Sequence, residues 1–228
     1  MPPQDDERET QMINLFNLTT PPGRKRSDID AQLAIDGKTI NFELKSTTTD
    51  TVSTVRDFGP DHIAKWRNGI HWIFAFYDSD GKTLRYCVYA SPTDMEPWIA
   101  SMEAYIAPDI ALTVTLPLSV TNETVVSVFG HAKTYSIGDA RRLMKNQWKK
   151  DEYIKAQDVP GGYSLQRMTE IMQGRARYVI ARGATLNNPH ISSGFFMRFD
   201  RITGEHAARL RHLVHDYLNA AESDEAIP

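Results

Sequence analysis

The sequence predicts an α/β or α+β protein, with a sheet-bearing core up to about residue 130 and a mostly helical, basic portion after it. Three observations carry this reading. Strand-like segments bounded by turn residues crowd the stretch from Ser27 to Tyr89. Helical periodicity dominates after Ser136. The charge changes sign between the two portions, since residues 46–132 carry five cations against ten anions and residues 133–212 carry fifteen against seven. The expected division is therefore 1–132 and 133–228, packed as one globular unit.

The elements follow in order. Residues 4–17 read as a helix with Met12, Ile13, Leu15 and Phe16 as its apolar stripe, ended by Pro21-Pro22-Gly23. Ser27 to Ser46 reads as two strands joined by Asp36-Gly37, a strong signal for a two-residue hairpin turn. A short helix opens near Pro60. His71–Tyr77 is a dense apolar and aromatic run, expected as a buried strand. Leu84–Tyr89 returns as another strand, and 93–106 reads as a helix. Leu112 to Val128 has β-branched strand character, interrupted by Thr121-Asn122-Glu123. Helices are expected over 137–156 and 164–182, a loop over 183–194, and a final helix from a Thr203 cap to about Ala220.

Composition excludes several classes. Of the 228 residues 41% are hydrophobic and 24% charged, which rules out a disordered chain, a collagen-like fibre or a coiled coil. The single cysteine, Cys87, excludes an intramolecular disulfide and a cysteine-based zinc cage, and fits a reducing cytoplasm. The acidic start lacks the apolar core of a signal peptide, and no apolar run of membrane-spanning length is expected. The net charge of −3 does not itself suggest a nucleic-acid partner.

The hairpin concentrates the chemistry. With Asp36 and Gly37 as the turn, Ile35 opposes Lys38, and side chains alternate faces outward from there. One face collects Ile29, Ala31 and Leu33 against Leu44, Phe42 and Ile40. The other collects Asp28, Asp30 and Gln32 against Lys45, Glu43 and Asn41. Asp30 thus lies across from Glu43, and Asp28 across from Lys45. Two carboxylates held this close repel unless a cation joins them, and a hard divalent ion such as Mg²⁺ favours such oxygen ligands. A lysine one step along the same face offsets charge building on phosphorus and orients the nucleophile. The plain alternative is a solvent-facing sheet with an Asp28–Lys45 ion pair.

Ser27-Asp28-Ile29-Asp30, a strand, a turn and Phe42-Glu43-Leu44-Lys45-Ser46 together resemble the PD-(D/E)XK nuclease motif, in the Glu-Leu-Lys form of type II restriction endonucleases. The resemblance spans about 20 residues closely and the next 45 loosely. It implies a mixed sheet flanked by helices, Mg²⁺-dependent hydrolysis of double-stranded DNA to 5′-phosphate ends, and a homodimer. Carried over by position, Asp30 and Glu43 become metal ligands and Lys45 the catalytic lysine. Ile29 stands where the motif has proline, which leaves Asp28 as a rival ligand. The preceding helix offers Glu9, with Glu7 as a fallback, for an additional acid.

The cations of the C-terminal portion suit phosphate contact. Arg141, Arg142, Lys145, Lys149 and Lys150 fall on an expected helix with Trp148 interleaved. Asn187, Asn188 and His190, with Arg182 beside them, are candidates for base readout, because asparagine matches adenine and arginine matches guanine bidentately. Lys25 and Arg26 are placed to touch phosphate near the scissile bond, and His62 to approach the site. A repair or junction-resolving nuclease, or a non-catalytic DNA-binding module, are the alternative functions. His206, His212 and His215 share one expected helix and read as surface histidines rather than zinc ligands.

Overall fold

The computed structural model describes residues 4–24, 28–55, 57–183, 186–187 and 189–225. Its elements are, in order, α1 (Gln4–Phe16), β1 (Ala31–Ile35), β2 (Lys38–Thr47), β3 (Val52–Ser53), β4 (Asp57–Phe58), α2 (Pro60–Trp66), β5 (His71–Tyr77), β6 (Leu84–Ala90), α3 (Pro92–Thr115), α4 (Asn122–Phe129), α5 (Ile137–Met144), α6 (Lys150–Lys155), α7 (Leu165–Gly183), β7 (Leu186–Asn187), β8 (His190–Ile191), α8 (Ser193–Phe196) and α9 (His206–Glu225).

The fold is mixed α/β. A four-stranded sheet of order β1-β2-β5-β6 has helices packed on it. β1 and β2 are antiparallel, β2 and β5 parallel, and β5 and β6 antiparallel. The hairpin register is the one its apolar pattern demands, from Ile35 opposite Lys38 to Ala31 opposite Phe42. Asp36 and Gly37 both take positive φ, 49° and 72°, as a two-residue turn matching the strand twist requires. Ala31, Leu33, Ile40, Phe42 and Leu44 are buried in one core with Ile73, Ala75 and Tyr77 of β5, Met12 and Phe16 of α1, and Leu210 and Val214 of α9. The opposite face carries Trp72 and Phe74, packed by rings against Trp66 of α2, Trp98 of α3 and Phe196 of α8. β5 is buried at every position because both its faces are covered.

The chain forms two compact units, residues 1–104 with 187–228, and residues 105–186. The expected division at residue 132 is drawn differently here. The C-terminal stretch returns to the sheet, where Ile202 pairs with Cys87 through two backbone hydrogen bonds of 2.8 and 2.9 Å and α9 packs on α1. The second unit has its own core, built from Val125, Tyr135, Leu143, Tyr153, Tyr163 and Met168 among others. It carries eleven cations against seven anions, whereas the sheet-bearing unit carries fifteen against twenty-two.

Other sequence expectations are corrected. Leu112–Val128 is helical on both sides of a two-residue extended break at Val120 and Thr121, and contains no strand. Thr113 donates its hydroxyl to the Ile110 carbonyl at 2.6 Å and Thr115 to that of Ala111 at 3.0 Å, an arrangement by which threonine is accommodated in a helix. The next helix starts where the Thr121 amide donates to Thr124 Oγ1 at 3.2 Å. The helix expected over 137–156 is split, because Lys145 takes φ +50° and ends α5. α9 begins at His206 rather than after Thr203, since pairing of Ile202 with Cys87 holds the preceding chain extended. Contrary to expectation, one helical stretch, Pro92–Ser119, is long and apolar enough to cross a membrane by length and composition, with mean hydropathy of 1.2 and 11% burial in its most apolar window.

Candidate active site

The polar face of the hairpin is built as its alternation dictates. Gln32 Nε2 donates to Asn41 Oδ1 across the strands at 2.9 Å, and the pair beyond it is Asp30 and Glu43. Asp30 sits one residue before β1, tied to the ladder by its amide, which donates to the Phe42 carbonyl at 3.1 Å. Its carboxylate accepts from the Leu44 amide at 2.8 Å. Glu43 and Asp30 are 3% and 7% exposed, so both acids are buried against one another's field.

Three cations gather on them. Lys45 Nζ donates to Glu43 Oε1 at 2.7 Å and lies 4.0 Å from Asp30 Oδ2, which places the ammonium between the two acids. Lys65 of α2 donates to Glu43 Oε2 at 2.7 Å and to the Asp28 carbonyl at 3.0 Å. Arg24 donates to Asp30 Oδ1 at 2.5 Å and to both carboxylate oxygens of Glu9. Glu9 of α1 is thereby joined to the site through a guanidinium.

The electrostatics differ between the two acids. Burial pushes the Asp30 carboxyl above its ordinary range, Glu43's charge adds to that, and Lys45, the Leu44 amide and Lys65 only partly oppose it. Burial acts upward on Glu43 as well, but Lys45 and Lys65 outweigh it and hold the group below its usual value. Lys45 is likewise held above its ordinary value, because Glu43 and Asp30 outweigh the effect of burial. Asp30 is thus held in its ionised form less firmly than Glu43, although Arg24 and Lys45 both face it. An oxygen-only pair of buried carboxylates is the donor set a hard divalent ion prefers, and here the Lys45 ammonium stands between them. Among the described residues no cluster of three or more His, Cys, Asp or Glu side chains is assembled to hold a metal.

The chain matches no known protein-family model and no curated protein.

The remaining sequence candidates divide clearly. Asp28 offers its backbone carbonyl to Lys65. His62 is half-buried at the N-terminal end of α2, with a pKa lowered chiefly by burial while Glu43's charge acts the other way. His190 is exposed on β8 and bonded through Nδ1 to Ser53 Oγ at 3.1 Å. Arg141, Arg142, Lys145 and Lys149 are exposed on the second unit, with Arg141 over the Tyr153 ring and Arg142 over the Phe129 ring. They do not share one helix, since Lys145 ends α5 and Lys149 precedes α6. Lys25, Arg26 and Asn188 lie outside the described residues, as do the side chains of Arg182 and Asn187. His212 and His215 pair with Asp216 and Asp36 instead of with each other.

Two site residues went unassigned by sequence reasoning, Arg24 and Lys65. Lys65 had a readable signal, because it falls three residues after His62 and shares its helix face. Arg24 belongs to the basic cluster ahead of Asp30, but nothing in the spacing singles it out from Lys25 and Arg26.

Proposed function

We propose that the protein is a Mg²⁺-dependent, sequence-specific double-stranded DNA endonuclease of the type II restriction kind, with a restriction-endonuclease-like sheet and a homodimeric working form. The observation that carries the reading is the buried convergence of Asp30, Glu43 and Lys45 on the polar face of the hairpin, in the register the motif requires. Asp30 and Glu43 would hold Mg²⁺, which when bound supplies a Lewis acid that offsets charge on the phosphoryl oxygens. Lys45 donates positive charge beside both acids and orients the attacking water. Lys65 ties Glu43 to the Asp28 carbonyl in the segment before β1 and so sets the spacing of the pair. Water attacks phosphorus, the bond to the 3′ oxygen breaks, and the 5′-phosphate remains on the other fragment. The exposed cations of the second unit supply sequence-independent attraction to the backbone.

Incubating mixed-sequence plasmid with Mg²⁺ and sequencing the ends tests this directly. Discrete 5′-phosphate termini at a recurring sequence are expected. Glu43→Ala should abolish cutting and retain DNA binding. Cleavage confined to branched or damaged DNA would indicate a repair or junction-resolving nuclease. The close pairing of all three cations with the acids favours one further reading, a non-catalytic DNA-binding module whose hairpin charges are structural. DNA binding without any cutting by the wild type would establish that instead.

A further inference from the structure

A concavity lies on the same sheet face as the charged cluster, apart from its side chains. Alternation along β2 puts Glu43, Lys45 and Thr47 on one face, and their partners on β5, Trp72, Phe74 and Phe76, point the same way. Phe76 in turn opposes Tyr86 on β6. A cavity of about 360 Å³ opens there, walled by Phe76, Tyr86, Phe196, Met197, Phe199 and Arg201. Its place is one residue pair beyond Lys45 along the strands, about 7 Å, and one or two strand spacings of about 5 Å across.

The lining is flat and aromatic. Phe76 and Tyr86 stack with centroids 4.6 Å apart, and Phe196 stands edge-on to Phe76 at 5.1 Å. The Arg201 guanidinium lies over the Tyr86 ring at 4.4 Å, is exposed, and has no carboxylate partner among the described residues. Met197 at the mouth is 87% exposed. Asp50 and Ser193 add a carboxylate and a hydroxyl at the rim. The part-exposed rings of Tyr86 and Phe199, an exposed guanidinium and a few hydrogen-bonding groups match what an unpaired nucleobase with its flanking phosphate demands.

We propose that this cavity binds an unpaired nucleobase of a single-stranded segment, stacked on the aromatic wall, with Arg201 on the adjoining phosphate. The proposal does not rest on the nuclease reading, because none of these side chains belongs to the charged cluster.

The test is fluorescence anisotropy of a fluorescein-labelled oligothymidylate of about a dozen nucleotides, titrated with the full chain in chelator so that no divalent ion takes part. Phe199→Ala and Arg201→Gln should each weaken binding about tenfold. Met197→Glu, at a position 87% exposed, should weaken it comparably by setting a negative charge beside the pocket, with a thermal midpoint close to wild type. An oligonucleotide of abasic sites should compete about tenfold less well than oligothymidylate. Glu43→Ala should bind as the wild type does. Wild-type failure to bind, variants that bind unchanged, or equal competition by the abasic strand would each overturn the assignment. So would displacement of the oligonucleotide only by an aromatic peptide. Binding that persists in a protein unable to cut DNA would leave this pocket standing and remove the nuclease reading alone.

Discussion

Asp30 and Glu43 are neighbours with opposite energetic roles. Glu43 is held ionised by two lysines, so Glu43→Gln leaves Lys45 and Lys65 underpaired and should cost about 3 kcal/mol in urea denaturation. Asp30 has a raised folded-state pKa, so its ionised form opposes folding at neutral pH. Asp30→Asn, which leaves Arg24 on Glu9 and Lys45 on Glu43, should therefore raise the urea midpoint of the metal-free protein while lowering Mg²⁺-dependent cleavage by about 10³-fold. The sign gives a pH test. As pH falls through the raised Asp30 value toward the unfolded one, the wild type gains a proton in the folded state and the gap to Asp30→Asn closes. The Glu43 contribution runs the other way, being complete above its unfolded pKa and lost as pH falls through its lower folded value. A gap between wild type and Asp30→Asn that widens on acidification would contradict this account. The acids and Lys45 were readable from sequence because each is fixed by strand alternation and the turn. Arg24 was not, because its role depends on α1 bringing Glu9 beside the loop, a contact with no local period.

The hairpin and α2 act as elements. Gly37 holds φ +72° with open space around it, so Gly37→Ala should cost roughly 1–2 kcal/mol from backbone strain alone, read as a lower urea midpoint. One residue inserted at the turn is a harsher change, since a one-residue slip turns every β2 side chain to the other face. α2 contributes through Lys65, and Lys65→Met should lower cleavage by about 10- to 100-fold, as loss of a group that orients a ligand does. The hairpin pairing and most helices were legible because period and punctuation agreed. The failure at Leu112–Val128 has a specific cause. β-branched residues favour strands when they pack on a pleated surface, and there the helix offers its own carbonyls to Thr113 and Thr115 instead. The break at Lys145 was hidden because a lysine at positive φ carries no sequence mark.

At the scale of the molecule, charge is partitioned between the units, with the acids of the candidate site in the acidic one and most of the expected phosphate-binding cations in the basic one. Changing Arg141, Arg142, Lys145 and Lys149 to glutamine should reduce the slope of log binding constant against log salt by up to about 4, with a thermal midpoint close to wild type because all four are exposed. A slope left unchanged would place the phosphate contacts elsewhere. The long-range assembly was the least legible level, because the return of residues 187–228 to the sheet is a matter of which faces meet rather than of local pattern.

That return has a consequence during synthesis. Leu210 and Val214 of α9 complete the apolar layer beneath the hairpin, opposite the Asp30–Glu43 face. A ribosome makes the hairpin about 160 residues before α9, so over that interval the nascent sheet stands with half its roof missing. The pair of acids gains its rigid support only when α9 clears the exit tunnel, so any hydrolytic power they hold arrives well after the hairpin itself has been made.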